Sequence, residues 1–436
     1  MSRKKIIIIG GGLSGLSTAW HLQKKGIECR IFEKEREAGG LCRSKQVNDF
    51  TFDYDGHLLH FRHEYALRLV KSLLGNNLAE HKRSAWIYCR GRYSRYPFQA
   101  NLYGLPSSIV KECLFEFIKA RRNSCPSDKN TLNFSEWILR TFGRGIARHF
   151  MVPYNKKFWT VPLRSLTCEW LDGFIPVPSL HQLIEGTVEE SRRLYGYNAR
   201  FWYPREGGIQ ALPRAFANSL KYLYTRHEVK NIDMRKKLVI LRTGEREPFD
   251  YLVSTVPLPE MPRLTGGFPS DIRRLFKKLR WNSIFNFNAG IDRPDASGRH
   301  WAYFPEKRIS FFRVGFPHNF SAVHPSGMKS SLYAEVAYSR EKPLDKRRVV
   351  TLIKNDLKRT GILDRYDRIC AQDINDIPYG YPIYDAHYAR VRGRILSYLE
   401  NNAVLCRGRY GAWRYMSMED VVLEGKQTAE LISANG

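Results

Sequence analysis

A glycine-rich turn near the start of the chain constrains the fold more than any other feature of the sequence. Residues 6–9 are four isoleucines, a run typical of a buried parallel strand. The turn Gly10-Gly11-Gly12-Leu13-Ser14-Gly15 follows at once, and residues 16–25 have the pattern of a helix. In such a unit Gly10 permits the tight turn, Gly12 lets the backbone approach a pyrophosphate, and Gly15 lets helix and strand pack closely. The sequence therefore predicts a dinucleotide-binding βαβ unit, with Ser14 also at the cofactor.

The residues after the second predicted strand, 28–32, indicate which dinucleotide is bound. This strand ends in Glu33, where an acidic side chain can hold a ribose hydroxyl pair. Gly39 and Gly40 would let backbone pass close to the cofactor, and Leu41 and Arg43 follow them, with Arg43 placed to meet a phosphate. The segment resembles the extended fingerprint of FAD enzymes that include amine oxidases, protoporphyrinogen oxidases and UDP-galactopyranose mutases. FAD is therefore the expected cofactor.

Segments far apart in the sequence are predicted to complete the cofactor domain. They are the turn 205–212 with the helix 213–223, the strands 238–242, 251–257 and 403–406, and the helix 418–434. Acidic residues in the first turn of that last helix suit its dipole. Arg409, Met418 and Glu419 are predicted to contact the flavin.

The pattern between these segments changes twice. Helical periodicity predicts helices over 106–122, 133–142, 145–151 and 178–194, and strand patterns return at 281–292, 301–314 and 331–338. We expect an α/β protein, with a Rossmann-like FAD-binding domain, an inserted helical domain and an antiparallel substrate-side sheet. The expected boundaries are 1–95, 201–260 and 390–436 for the discontinuous FAD-binding domain, 100–200 for the helical domain and 265–389 for the β-sheet region.

The charge of the chain is its other unusual property. Lys and Arg number 71 against 43 Asp and Glu, a formal net charge of +28 over 436 residues, and such a surplus attracts anions. The basic residues are scattered, so no nucleic-acid partner is expected. The eight cysteines have no metal-ligand spacing, and no metal site is expected. No transmembrane segment is predicted. We expect a cytoplasmic protein whose basic surface is compatible with peripheral membrane contact.

Several motifs, in order along the chain, resemble those of the UDP-galactopyranose mutases, most closely the eukaryotic branch. Residues 53–57 (DYDGH) resemble a turn whose histidine, here His57, lies over the flavin. Residues 96–101 (YPFQAN), 150–162 (FMVPYNKKFWTVP) and 301–305 (WAYFP) are further matches. The resemblance implies that the substrate is bound by Tyr96, Phe98, Gln99, Asn155, Trp159, Trp301, Tyr303, Arg313, Tyr381 and Tyr415. It implies catalytic roles for His57, Arg313 and Asn155.

The chain departs from that family's pattern at three places, the last two of which bear on the substrate. Asp55 stands where the family has the first glycine of the turn before the histidine. Phe174 stands at the position where the family has an arginine that grips the diphosphate, so that contact is either missing or supplied elsewhere, for instance by Arg164 or Arg192. The segment 415–420 also looks more like the bacterial branch. The identities of the sugar and of the nucleotide are therefore left open.

The resemblance implies a redox-neutral interconversion of pyranose and furanose forms of a UDP-galactose-like nucleotide sugar, with N5 of reduced FAD as the nucleophile. NAD(P)H is one candidate reductant, and the oligomeric state is left open. The main alternative is an FAD-dependent oxidase or desaturase of the amine oxidase or protoporphyrinogen oxidase type. A third is a non-catalytic flavoprotein that binds anionic glycans or lipids.

Overall fold

The computed structural model describes residues 4–434, apart from 124–130, 172–173, 191–192, 194, 197, 296 and 322–328. The strands in chain order are β1 (Ile6–Ile9), β2 (Arg30–Phe32), β3 (Ser44–Val47), β4 (Phe50–Asp53), β5 (Leu78–Lys82), β6 (Ala85–Cys89), β7 (Arg92–Arg95), β8 (Arg200–Pro204), β9 (Leu223–Tyr224), β10 (Val229–Asp233), β11 (Leu238–Leu241), β12 (Arg246–Pro248), β13 (Tyr251–Ser254), β14 (Trp281–Ile291), β15 (Trp301–Tyr303), β16 (Arg313–Gly315), β17 (Ser330–Tyr338), β18 (Ile369–Pro382) and β19 (Val404–Cys406).

The α-helices are α1 (Leu13–Lys24), α2 (Glu64–Leu74), α3 (Ser107–Asn123), α4 (Phe134–Ile146), α5 (Val152–Trp159), α6 (Leu180–Val188), α7 (Ala211–Asn218), α8 (Met261–Leu264), α9 (Ser270–Phe276), α10 (Val349–Arg359), α11 (Tyr388–Asn401), α12 (Gly408–Gly411) and α13 (Met418–Ala434). In the described part of the chain, no helix combines the length and apolar character needed to cross a bilayer.

The cofactor-side core is a parallel sheet in the order β19-β13-β1-β2-β9. All four isoleucines of β1 are buried, because the strand is flanked by neighbours and covered on both faces. Helices α1 and α13 pack together, and Ser17 Oγ donates to the Val422 carbonyl at 2.9 Å. The predicted α/β fold with a Rossmann-like domain is confirmed.

One predicted helix in this domain is shorter than expected. Helix α7 ends at Asn218, and Leu223, which we predicted as its last residue, lies in strand β9. The reason is an edge of the parallel sheet: the amide of Ile31 in β2 donates to the carbonyl of Tyr222 at 2.9 Å. Because that edge offers unpaired backbone groups, the segment extends rather than continuing the helix.

The helical region consists of α3, α4, a π-helix over Ala147–Met151, α5 and α6. Capping boxes begin two of these helices, with Asn133 and Glu136 at α4 and Ser179 and Gln182 at α6. Helix α6 ends at Val188, so the prediction of a helix to residue 194 was too long, and Leu194 itself lies outside the described residues.

The large sheet has seven strands in the order β18-β14-β17-β16-β15-β6-β7. Its pairs are antiparallel except β15 with β6, which run parallel. The predicted strand over 301–314 is two short strands, β15 and β16, joined by a loop. Residues 85–95, which we assigned to the FAD-binding domain, form the edge of this sheet because β6 pairs with β15. That boundary of the prediction was wrong.

A row of polar side chains crosses one face of this sheet. Directly paired residues on neighbouring strands point to the same face, and the register links Tyr303 to Arg313, Arg313 to Glu335 and Glu335 to Asn286. The segment with Asp53, Tyr54 and Asp55 lies over this row, since Asn286 Nδ2 donates to the Tyr54 carbonyl at 3.0 Å. The fold thus brings the predicted flavin histidine loop onto the substrate-side sheet.

Candidate active site

The glycine turn forms a narrow cradle between two backbone segments. Gly10 has φ +100°, and a Cβ on Gly15 would lie 2.1 Å from the Gly10 carbonyl oxygen. Gly12 pairs with Gly39 in a β-bridge, and the Gly39 amide donates to the Gly11 carbonyl at 2.7 Å. A side chain at these positions would fill the space, so the cradle fits a ligand approached by bare backbone.

Two buried donors without a partner among the described residues point to the same conclusion. Ser14 Oγ is buried at the start of α1 and makes no hydrogen bond, and Arg409 Nε is likewise unsatisfied. Gly408, with φ +78°, packs against Ser14 so closely that a Cβ would lie 2.6 Å from Ser14 Oγ. Unsatisfied buried donors are costly, so these groups fit an anionic or carbonyl-rich ligand such as a flavin dinucleotide.

Glu33 lies at the end of β2, beside the turn as predicted. Its Oε2 accepts from the Gly11 amide at 2.6 Å and its Oε1 accepts from the Glu35 amide at 2.8 Å. Each carboxylate oxygen has more than one lone pair, so Glu33 can brace the turn and still accept from a ribose hydroxyl.

Three other predicted cofactor residues make contacts within the protein. Arg43 Nε donates to the Gly40 carbonyl at 2.9 Å and its guanidinium lies over the Tyr54 ring, so it is partly occupied. Leu41 packs against a small core cluster of the large sheet that includes Ile284 and Phe312. Met418 is a partly buried neighbour of the cofactor-side core.

The Glu419 carboxylate makes contacts within the protein. Its Oε1 accepts from the amides of Arg62 and His63 at 2.8 and 2.7 Å, and the side chain is 1% exposed. The carboxylate therefore anchors the start of α2 to α13. The second oxygen, Oε2, lies 3.3 Å from Arg62 Nε.

A cavity of about 210 Å³ lies between the helical region and the large sheet. Its walls bring together Tyr96, Gln99, Phe150, Met151, Tyr154, Asn155, Phe158, Trp159, Trp170, Phe174, Ile175, Asn198, Tyr303, Tyr381, Tyr384 and Tyr415. Seven predicted substrate residues are in this set. None of the described lining side chains is charged, and eleven are aromatic.

Two polar atoms in the cavity wall have no partner within the described residues. They are Trp159 Nε1, a donor, and Gln99 Oε1, an acceptor. Asn155 is fixed by donating from Nδ2 to the Met151 carbonyl at 2.8 Å. Such a site suits a ligand with ring faces for stacking and a few hydrogen-bonding groups.

Phe98 and Trp301 lie outside the cavity lining. Phe98 is fully buried and stacks on Phe150, while Trp301 packs in the core against Phe201. Their neighbours in the sequence, Gln99 and Tyr303, do line the cavity. Side chains alternate along strand β15, so Trp301 and Tyr303 point to the same face. Trp301 is covered by the core, whereas Tyr303 reaches the cavity.

Arg313 does not line the cavity directly. Its guanidinium makes a bidentate contact with Glu335, through Nε and through Nη2 at 2.6 Å. Its cross-strand neighbour Tyr303 lines the cavity, and its charge acts on the phenols of Tyr154 and Tyr381 there. No sequence motif indicated Glu335, although its place opposite Arg313 follows once the strand register is known.

His57 sits beside this ion pair. Its Nδ1 lies 3.1 Å from the Asp55 carbonyl oxygen, and the Asp55 carboxyl hydrogen-bonds the Glu335 carboxyl. Burial lowers the pKa of the His57 ring, and Arg409 and Arg313 lower it further against the pull of Asp55. The imidazole is therefore neutral at pH 7.

Arg409 is another cation near the cavity. Its guanidinium lies 4.5 Å from the centroid of the Tyr381 ring and 5.0 Å from that of Tyr415. These two rings are parallel, with centroids 5.9 Å apart, and both line the cavity. Phe174 meets the Tyr415 ring edge-on at 5.0 Å. Arg164 is on a 3₁₀ turn and is not a lining residue; Arg192 lies outside the described residues.

No group of three or more His, Cys, Asp or Glu side chains among the described residues is arranged to hold a metal ion.

Comparisons with known proteins bear on what that ligand is. The family described as flavin containing amine oxidoreductase matches residues 13–433. A crystal structure of reduced UDP-galactopyranose mutase is 28% identical with a TM-score of 0.94, covering 100% of this chain and 95% of that one. The resemblance predicted from the motifs is thereby confirmed.

Two curated relatives match over shorter stretches. Protoporphyrinogen oxidase 2 of Arabidopsis thaliana is 22% identical over 63% of this chain and 62% of its own length. Probable flavin-containing monoamine oxidase A of Dictyostelium discoideum is 31% identical over 24% of this chain and 25% of its own length. The matches thus span less than two thirds of either relative.

Proposed function

We propose a function for this chain from one premise, that it belongs to the flavin-containing amine oxidoreductase family. Within that family we propose that it is a flavin-dependent mutase that interconverts the pyranose and furanose forms of a nucleotide sugar, of the UDP-galactose type. The observation that carries the proposal is the match over the whole chain to reduced UDP-galactopyranose mutase, at a TM-score of 0.94 and 28% identity.

The cradle residues would hold FAD. The backbone of Gly10, Gly12 and Gly39 would receive the pyrophosphate, and Ser14 Oγ and Arg409 Nε are unsatisfied donors available to it. When bound in its reduced form, the flavin supplies an electron-rich ring nitrogen as nucleophile, so no Ser, Cys or carboxylate of the chain is needed for that task.

The remaining residues of the chain would bind and orient the substrate. Aromatic faces in the cavity stack on a base and on the apolar faces of a sugar, and they exclude water. Trp159 Nε1 and Gln99 Oε1 offer one donor and one acceptor for hydroxyl or base groups. The hydroxyls of Tyr303, Tyr381 and Tyr415 would donate to phosphate oxygens, with the charges of Arg313 and Arg409 behind them.

The test is anaerobic incubation of dithionite-reduced, FAD-loaded protein with UDP-galactopyranose and a panel of other nucleotide sugars. A ring-size isomer of one of them, formed by the reduced but not the oxidised protein, is the expected product. Borohydride should trap a flavin–sugar adduct with the same compound. If neither appears with any member of the panel, the proposal fails. NADPH in place of dithionite tests the reductant.

A Trp159→Phe variant sharpens this test. It keeps the aromatic wall and removes the Nε1 donor, so kcat/KM should fall by about tenfold or more. Trp202→Phe is the matched control, since Trp202 packs on Phe61 away from the cavity.

One observation favours a second function, an oxidase or desaturase. The described lining of the cavity is uncharged, which suits an apolar substrate as well as a sugar. That function predicts oxygen consumption and flavin reduction by the substrate. Flavin that stays reduced throughout turnover would exclude it.

A further inference from the structure

Two helices on the surface carry a dense group of cations. Residues 272–281 contain five Lys or Arg and no acid, and in α11 the first acid after Tyr388 is Glu400. The exposed members of this group are Arg273, Arg274, Lys277, Lys278, Arg390 and Arg394, and we call them the α9–α11 patch. They lie together because α9 packs on α11.

The packing of the two helices fixes the arrangement of these charges. Arg394 Nη2 and Asp271 Oδ2 lie 3.0 Å apart, which ties α11 to α9. Arg274 follows Asp271 by three residues, so the two lie on the same side of α9, and Lys277 and Lys278 follow directly after the helix ends at Phe276. Arg390 precedes Arg394 by one turn of α11. The patch is thus one surface on which six cations face one acid.

The two acids beside Arg280 are already paired. Asp385 and Glu341 both bind Arg280, at the base of the same segment. Within the described residues, no ion pair joins Arg274, Lys277 or Lys278 to an acidic side chain, and Arg273 donates to the Gly266 carbonyl at 2.7 Å. Uncompensated cations of this kind repel each other unless an anionic partner lies over them.

We propose that the α9–α11 patch docks the protein on an anionic lipid bilayer. Lys and Arg near such a surface each gain attraction from its negative potential, and clusters of four to eight bind acidic phospholipids. A nucleic-acid partner is less well matched, because sites for single strands interleave aromatic rings with the cations and those of the patch, such as Phe276, are buried.

The patch adjoins the candidate active site. Helix α11 begins at Tyr388, whose ring lies 4.4 Å from that of Tyr384, a residue of the cavity wall. Helix α11 thus connects the cavity wall to the patch.

The test uses the full, FAD-loaded chain and two quadruple variants. Arg273→Gln, Arg274→Gln, Lys277→Gln and Lys278→Gln together neutralise the α9 part of the patch. Lys230→Gln, Arg235→Gln, Lys236→Gln and Lys237→Gln remove the same charge from the exposed β10–β11 hairpin. Co-sedimentation is measured with phosphatidylcholine vesicles, with and without phosphatidylglycerol.

The wild type and the hairpin variant should bind the vesicles that contain phosphatidylglycerol, and the patch variant should bind them at least about tenfold more weakly. Added salt should release the bound protein. Equal losses in the two variants, or no binding by the wild type, would overturn the proposal. The proposal would also fail if single-stranded DNA released the wild type from the vesicles at a concentration lower than the lipid concentration that binding requires. Unchanged flavin spectra show that both variants are folded.

Discussion

The carboxyl groups of Asp55 and Glu335 share a hydrogen bond, although the two residues are far apart in the sequence. Glu335 also holds the Arg313 guanidinium, and Asp55 Oδ1 accepts from the Gly56 amide at 2.9 Å. Burial raises the pKa of Glu335 well above its ordinary value, and the Asp55 carboxyl raises it further. Two buried carboxyls in contact oppose each other's ionisation, which Arg313 in turn favours, and we expect the pair to share one proton.

The first prediction concerns that proton. At pH 8 the infrared spectrum of the wild type should contain the C=O band of a protonated carboxylic acid, and Asp55→Asn should remove it. The reason is that Glu335 in this variant faces the Arg313 cation without the Asp55 carboxyl beside it, so the Glu335 carboxyl ionises. Asp49→Asn is the control, since Asp49 is an exposed partner of Lys329. A band that persists in Asp55→Asn would show that the pair shares no proton.

The second prediction concerns Phe174. Phe174→Arg would place a cation at the cavity wall beside Tyr415, where a charged donor can reach a diphosphate. The affinity for UDP should rise by about tenfold, which corresponds to about 1.4 kcal/mol. Equilibrium titration followed by flavin absorbance measures it. Phe174→Leu controls for loss of the ring, and an equal gain with leucine would refute the electrostatic cause.

The third prediction is a pH dependence of stability. Burial raises the pKa of Asp53 to about 6 from 3.8, while hydrogen bonds from Ser44, Tyr203 and Ile209 oppose the shift. Between these values the folded chain binds more protons than the unfolded one, so the free energy of unfolding falls as pH rises. The loss is at most about 3 kcal/mol and is complete above about pH 6.

Denaturant unfolding of wild type and Asp53→Asn from pH 4 to 8, at constant FAD, measures this effect. The wild type should lose stability relative to the variant across the window, and the difference should level off above it. Asp49→Asn, on an exposed turn, should show no such difference. Parallel curves for wild type and Asp53→Asn would contradict the prediction.

The fourth prediction concerns the cradle. Gly15→Ala would set a Cβ against the Gly10 carbonyl, which is backbone and cannot move aside cheaply. We expect a loss of stability of about 1–3 kcal/mol and purification with little bound flavin, measured by absorbance. Gly393→Ala in α11 meets nothing within 4 Å and should stabilise the protein slightly. Normal flavin content in Gly15→Ala would show that the cradle is wider than the structure indicates.

Features with local causes were predictable from the sequence. The isoleucine run of β1, the glycine turn and helix α1 follow from contacts between residues close along the chain, and all three lie where we predicted them. The same holds for α3 and α13, which lie within one residue of their predicted bounds. The resemblance also placed Asn155, Trp159, Tyr303, Tyr381 and Tyr415 near one another, and the cavity brings them together.

What only the tertiary structure decided depends on which distant segments meet. Phe98 and Gln99 are neighbours in the sequence, but one is core and the other lines the cavity. Glu419 anchors α2, and β6 joins the large sheet, because their partners lie hundreds of residues away. Glu335 faces Arg313 only through the register of β16 and β17, where a shift of one residue would turn the side chain to the other face. Composition and periodicity specify each element, whereas pairing across the fold specifies the charge and shape of the site.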